Sequence, residues 1–290
     1  MILNSEFKNR VKELHQLYIK LKPDKDTLLN MLEEAEIAEG VYNSNAIENS
    51  TLSLQETEKI LLELEVSRNV SLREVFEAKN LARVMEYIRN KGREFKLSNE
   101  NIVLLHNMLL MNISENIAGR YREKEEYVRV GSHIAADPRQ IPKLIDELLS
   151  DYENSLEEYF LEKIAKFHLG FEHIHPFNDG NGRIGRVLIN YQFLELKLPP
   201  IILRNKEKRE YYDALKQFDQ KKDHKLMTRL LGLALMESLH KRIAYLQGKK
   251  LVPLIEFAKR LEKSPQAILN AAKRQTISAF RERGVWKIGV

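Results

Sequence analysis

His-Pro-Phe-Asn-Asp-Gly-Asn-Gly-Arg-Ile-Gly-Arg, residues 175–186, is the stretch on which the reading of this chain turns. It sets a base (His175), a metal-binding carboxylate (Asp179), a glycine-rich turn (Gly180, Gly182) and two arginines (Arg183, Arg186) side by side. The two glycines let the backbone turn so that its amides converge on an anion. Residues 183–194 predict a helix whose N-terminus adds its dipole to the same place. Arg183 and Arg186, three apart, share a face and can reach adjacent phosphates. Phe177 reads as an apolar anchor for the loop. Transfer of a phosphate-linked group from a nucleotide to a hydroxyl needs all of these parts. The base takes the hydroxyl proton, the carboxylate holds Mg²⁺, and amides and guanidinium groups bind the polyphosphate.

Two rival readings start from the same residues. Gly180, Gly182 and Gly185 satisfy G-x-G-x-x-G, but a dinucleotide fold needs an apolar strand directly before the first glycine, and here His-Ile-His-Pro-Phe-Asn-Asp precedes it. His168, His173, His175 and Asp179 could also suggest a metal hydrolase. Against that, His168 falls in a helical pattern, and His173 and His175 alternate in what reads as a loop, a poor zinc spacing.

The 290 residues can hold one good-sized core and a smaller appended module. With 43% hydrophobic and 31% charged residues, the composition is that of a globular protein rather than a disordered one. No cysteine is present, which excludes disulfides, thiolate catalysis and cysteine-ligated zinc, and agrees with a reducing compartment. The first residues meet charges at once, so no signal peptide is expected. The apolar runs, such as Leu-Leu-Gly-Leu-Ala-Leu-Met at 230–236, fall short of the ~20 residues of a bilayer span. The expectation is a cytoplasmic protein with no membrane partner.

Helical spacing dominates: Ile60, Leu61, Leu64; Ile102, Leu105, Leu109; Leu144, Leu148, Tyr152; Ile164, Phe167, Phe171. Ser53-Leu-Gln-Glu is a capping box, Ser98 is a second helix start, and Pro142 suits a first helical turn. Strand signal is sparse; Tyr127-Val128-Arg129-Val130, ending at Gly131, reads as one arm of a small hairpin. The expected fold is therefore mainly α, divided into an N-terminal helical region (1–100), a catalytic core (101–245) and a tail (251–290). The tail holds eight Lys/Arg against three Asp/Glu, so it carries all of the net charge of +5. That marks it as a unit able to meet a polyanion.

The stretch 175–186 resembles the signature of the Fic (filamentation induced by cAMP) domain family, H-x-F-x-[DE]-G-N-G-R-x-x-R, at every specified position. Gly119 to Arg122 and the strand after it resemble the family's flap, and Tyr211-Tyr212-Asp213-Ala214-Leu215 resembles the segment lining its adenine pocket. The likeness runs over about residues 30–235. It implies a Fic-type helical bundle and a protein adenylyltransferase that moves AMP from ATP to a Ser, Thr or Tyr hydroxyl of a target protein, or of itself. On this resemblance His175 is the general base and Asp179 holds Mg²⁺ at the α- and β-phosphates. Gly180, Asn181 and Gly182 form the anion hole, Arg183 stabilises the departing pyrophosphate and Arg186 grips the γ-phosphate. Tyr127, Val128, Arg129, Val130 and Gly131 align the target chain by strand pairing. The chain departs from the family at Asp219, where many relatives carry Asn, so a transferase using another nucleotide donor stays open.

Ser44-Asn-Ala-Ile-Glu48-Asn49 resembles the family's inhibitory motif, [ST]-x-x-x-E-[GN]. Read alone, it is a helix with a Ser/Glu pair at i, i+4 and Asn at its stop. The resemblance implies more: Glu48 pairs bidentately with Arg186 in the place of the γ-phosphate and restrains transfer. In some relatives the same glutamate helps remove the modification, which leaves reversal open. In the tail, two short helices (from Leu254 and from Ser264-Pro265), a following segment 276–283 and a small strand resemble a helix-turn-helix or winged-helix module. Lys273, Arg274, Arg281 and Arg283 would then meet DNA phosphates. The alternative is a docking or homodimerisation appendage. A DNA-binding regulator with a Fic-like sensor body is the reading from a different class.

Overall fold

The computed structural model describes residues 5–62, 70–130 and 133–290; Leu64 and Gly131, both used above, lie outside them. In chain order the body contains α1 (Ser5–Leu21), α2 (Asp26–Ile47), α3 (Leu54–Leu61), α4 (Leu72–Lys91) and α5 (Asn99–Leu110). A hairpin of β1 (Arg129–Val130) and β2 (His133–Ile134) follows, then α6 (Ile141–Asn154), α7 (Phe160–Ile174), α8 (Asn181–Glu195), α9 (Lys208–Lys221) and α10 (Lys225–Leu246). The fold is mainly α, as the spacing predicts.

Helix α7 runs through the middle because it is apolar on two sides. Leu161, Ile164, Ala165 and Leu169 enter one core with α1, α9 and α10, while Phe167, Phe171 and Ile174 enter a second with α4, α5 and α6. Helix α8 is divided the same way, with Ile189 and Phe193 in the first core and Ile184, Val187, Leu188 and Tyr191 in the second. Each fully buried side chain of this kind contributes about 1.5–3 kcal/mol. The two helices that flank the loop 175–180 are thus the hardest elements to displace. The cores also draw Phe7, Val11, Leu29, Val41 and Leu81 from the first hundred residues. The expected boundary near residue 100 is therefore not a boundary of packing.

Local signals fix the helix ends. At Ser53 the hydroxyl accepts from the Glu56 amide (3.2 Å) while the Ser53 amide donates to the Glu56 carboxylate (2.8 Å), the capping box read from sequence. Ser98 caps α5 through the Asn101 amide at 3.3 Å. Pro142 lies in the first turn of α6. In the hairpin, Arg129 faces Ile134 and Val130 faces His133, and the Ala135 amide extends the pairing to the Val128 carbonyl at 3.0 Å.

The tail consists of β3 (Leu251–Pro253), α11 (Leu254–Arg260), α12 (Pro265–Lys273), β4 (Ala279–Glu282) and β5 (Val285–Gly289), with antiparallel strand order β3-β5-β4. It has its own small core of Val252, Leu254, Ala258, Ile268, Ala272, Ala279 and Ile288. Where sequence left 276–283 unassigned, the structure has a strand, because Ala279 and Phe280 are fully buried and β5 pairs with it. Two of the four basic residues expected to meet phosphates turn toward the body instead. Arg281 pairs with Glu237 (2.6 Å) and Glu207 (2.5 Å), and Arg283 pairs with Glu58 (2.6 Å). The acidic residues facing them across the joint are the physical reason. Lys273 and Arg274 remain exposed. Among the described residues, no helix is long and apolar enough to cross a membrane.

Candidate active site

Helix α7 stops at Ile174 because His175 takes a left-handed conformation (φ 52°), its amide closing on the Phe171 carbonyl at 2.9 Å. Two residues to which sequence reading gave no role of their own hold the loop that follows. Arg122, 1% exposed, donates to the carbonyls of His175 (2.8 Å), Glu126 (2.7 Å) and Ala136 (2.9 Å), tying the hairpin segment to the loop. His106 accepts the Gly119 amide on Nδ1 (3.1 Å), so its hydrogen sits on Nε2 and is donated to the Asp179 carbonyl (3.0 Å). Its ring stacks on Phe177 at 3.7 Å, which places Phe177 as the apolar anchor. Burial pushes His106 down to about 4, in keeping with the neutral form that this bonding requires.

Asn181 differs from its expected role. Its side chain accepts the Phe177 amide (2.9 Å) and donates to the Phe177 carbonyl (2.8 Å), so it closes the loop on itself rather than facing an anion. Gly180, at φ 82°, starts α8 and turns the first amides of the helix outward. Asp179 accepts from the Gly180 amide (2.6 Å), Arg183 (2.9 Å) and Arg73 (2.6 Å). Burial works to raise its carboxyl, but the Arg183 and Arg73 charges outweigh that and hold it below the ordinary range. Arg183 also lies 3.3 Å from Glu77.

The His175 ring is mostly buried, and burial first, then the Arg122 charge, lowers it to about 4. Its Nδ1 stands 3.9 Å from Glu172 and has no hydrogen-bond partner. Burial raises the Glu172 carboxyl to about 8, so at neutral pH this neighbour is mostly protonated and leaves the imidazole neutral.

The segment 44–49 reaches this place from the far end of α2. Glu48 Oε1 accepts from Arg186 at 2.9 Å. The expected bidentate pairing is not what forms. The Ser44 hydroxyl takes the Nε edge of the guanidinium (2.9 Å) and the Ser44 carbonyl shares its Nη2 (2.9 Å), which leaves one oxygen of Glu48 for the remaining direction. A Cβ on Gly182 would fall 2.2 Å from that Glu48 oxygen. The carboxylate therefore lies against the first turn of α8. Only glycine leaves it room.

Helix α9 completes the surroundings. Tyr211 is 3% exposed and acts as a pillar: its hydroxyl accepts from Arg186 (3.4 Å) and bonds His168 (2.9 Å). Tyr212 is half exposed and donates to the Ile47 carbonyl at 3.2 Å, while Lys208 donates to Asn49 at 2.7 Å. The end of α2 is thus gripped from α8 and α9 together. Of the four groups in the metal-hydrolase reading, His168 and Asp179 serve these separate networks. His173 belongs to α7 rather than a loop and turns toward Asp219 (2.7 Å). Tyr127, Val128, Arg129 and Val130 lie along the hairpin that Arg122 joins to the loop.

Comparison with known proteins agrees with this architecture. Residues 96–193 match the model of the Fic/DOC family. A protein adenylyltransferase Fic of Aedes aegypti is 30% identical over 199 residues, covering 66% of this chain and 39% of its own length. The chain thus spans about two fifths of that relative. A crystal structure of a Fic domain containing signaling protein from Bacteroides thetaiotaomicron superposes with a TM-score of 0.74 at 26% identity, covering 83% of this chain and 98% of that one. A Fic family protein from Desulfovibrio desulfuricans shares the fold over 100% of this chain and 97% of its own, with a TM-score of 0.70 at 22% identity. Residues 96–193, with the signature that lies within them, thus match the Fic/DOC family, and the fold is that of Fic-domain proteins.

Proposed function

We propose that the chain is a protein adenylyltransferase, moving AMP from ATP to a Ser, Thr or Tyr hydroxyl of a target protein and restrained by Glu48. The observation that carries this reading is an anion, the Glu48 carboxylate, held by Arg186 over Gly182 at the start of α8. A pocket in which a guanidinium holds a carboxylate beside a helix N-terminus suits a phosphate better, since a phosphate offers more acceptor oxygens and more charge.

In the transfer, neutral His175 takes the proton of the incoming hydroxyl as its oxygen attacks the α-phosphorus. The bond from the α-phosphorus to the bridging oxygen breaks, and pyrophosphate leaves with that electron pair. The α8 amides and Arg183 stabilise the charge that moves onto the phosphate oxygens. Asp179 fits Mg²⁺: it is one ionised carboxylate in the cleft, and Mg²⁺ is usually held by one or two carboxylates plus substrate phosphates. The ion would neutralise phosphate charge, with the exposed Arg73 giving way. The exposed edge of the hairpin offers main-chain groups to an extended target segment.

The tail reads better as a docking appendage than as a DNA reader, since Arg281 and Arg283 are consumed by Glu237, Glu207 and Glu58. Incubation with ATP labelled at the α-phosphate, using Glu48→Gly and Glu48→Gly/His175→Ala proteins, tests the whole reading. Label should enter protein with the first and not with the second, and mass spectrometry should find the increment of AMP. Label that persists without the imidazole, or an adduct of another mass, overturns it.

A further inference from the structure

Two residues before His175, a second cluster forms that the transfer chemistry does not use. His133 of β2, His173 of α7 and Asp219 near the end of α9 each present one ligand atom, all within 4.8 Å of one another. All three are partly exposed, so an ion can reach them.

The bonding fixes which nitrogens are free. His133 Nε2 lies 3.0 Å from the His173 carbonyl, which can only accept, so Nδ1 of His133 keeps its lone pair. A backbone carbonyl that orients one ring nitrogen and frees the other is the usual support of a metal-binding imidazole. The two rings lie nearly parallel at 4.1 Å, so one must turn out of the stack for both in-plane lone pairs to meet on one ion. His173 Nε2 stands 3.0 Å from the Lys222 ammonium, which can only donate, so this nitrogen too is an acceptor. Its Nδ1 then donates to Asp219 at 2.7 Å. A cation therefore already sits at the cluster, and it is the exposed end of a residue in the C-cap of α9.

We propose that His133, His173 and Asp219 bind a divalent transition ion that displaces the Lys222 ammonium. Two imidazoles and a carboxylate, with a position left for water, suit Zn²⁺. The ion would fasten the hairpin to the helix that carries His175, so its presence would fix the edge on which a target segment docks. The site is separate from Asp179 and stands whether or not the chain transfers AMP.

Calorimetric titration of the full chain with ZnCl₂ tests this, with zinc content measured after buffer exchange. Wild type and Asp179→Asn should each bind one strong equivalent. His133→Ala and Asp219→Ala should each lose the strong equivalent. Lys222→Ala should bind more tightly than wild type, an outcome that no loss of folding can mimic. Co²⁺ should give a visible absorption band in wild type that His133→Ala lacks. No strong equivalent in wild type, unchanged affinity in His133→Ala, or no gain in Lys222→Ala overturns the assignment.

Discussion

Glu48 and Arg186 meet at 2.9 Å although 138 positions separate them, and the same guanidinium donates to Ser44 one helical turn before Glu48. One arginine thus reads both ends of a single turn of α2. A triphosphate that needs Arg186 must displace that turn or bind out of line, and a misplacement near 1 Å costs about 100-fold in rate. Glu48→Gly should therefore raise transfer of labelled AMP by one to two orders of magnitude. Equal labelling by wild type and variant would remove the restraint from the reading.

Ser44→Ala should act in the same direction and more weakly. It strips the acceptor from Nε of a buried guanidinium, and an unsatisfied buried donor costs about 1–3 kcal/mol. The cost falls on the closed arrangement, because a bound phosphate can take the same donor. Initial transfer rates should fall between wild type and Glu48→Gly. A rate no higher than wild type would mean that the hydroxyl contributes nothing to the hold.

The parts of this site that sequence could supply are those that lie close together along the chain. His175, Asp179, the glycines and both arginines sit within residues 175–186, and Ser53 forms its cap with Glu56, three positions on. What sequence missed depends on long-range contacts to backbone groups. Arg122 grips carbonyls 53 and 14 positions away, and nothing in its neighbourhood distinguishes it from a surface arginine. Asn181 was assigned to the anion and instead closes its own loop, because an amide side chain four residues from Phe177 can satisfy both its amide and its carbonyl. Arg281 and Arg283 carried the expected charge, but their acidic partners in α3, α10 and the turn before α9 were invisible until the tail was folded against the body.

Glu39 links the tail to the helix that leads to Ser44 and Glu48. Its carboxylate, 4% exposed, accepts the amides of Arg283 (3.1 Å) and Gly284 (3.0 Å) and pairs with Arg204. Glu39→Ala leaves a buried guanidinium without this partner, and breaking a buried pair costs about 3–5 kcal/mol. The urea midpoint should fall accordingly. Transfer should also rise, since α2 loses an anchor upstream of Ser44. An unchanged midpoint would show that Arg204 is satisfied by Glu237 alone.

Stability should also fall on mild acidification through His240. Its Nδ1 donates to the Gln275 side-chain oxygen at 2.8 Å, joining α10 to the tail. Burial lowers its pKa, and Arg10 lowers it further against the pull of Gln275 and Glu237. A folded pKa below the unfolded value of about 6.5 means that the unfolded chain binds the proton first. The contribution is complete above that value and declines as pH falls from it toward the folded pKa. Urea unfolding at pH 7.5 and 5.5 should show a larger drop for wild type than for His240→Gln. Equal drops would place the titration elsewhere.

Arg122 should matter to rate more than to nucleotide binding. Its planar fork serves the His175, Glu126 and Ala136 carbonyls at once, and a lysine ammonium on a flexible stem cannot reproduce that spread. The contacts fix the peptide of His175, not the start of α8, so losing them should misplace the imidazole while leaving the first turn of that helix in place. In a Glu48→Gly background, Arg122→Lys should lower kcat by about 10–100-fold, with KM for ATP changed little. Circular dichroism and the urea midpoint would separate this effect from unfolding. If kcat is retained and KM rises instead, Arg122 supports the nucleotide rather than the base, and the positioning role given to it here is wrong.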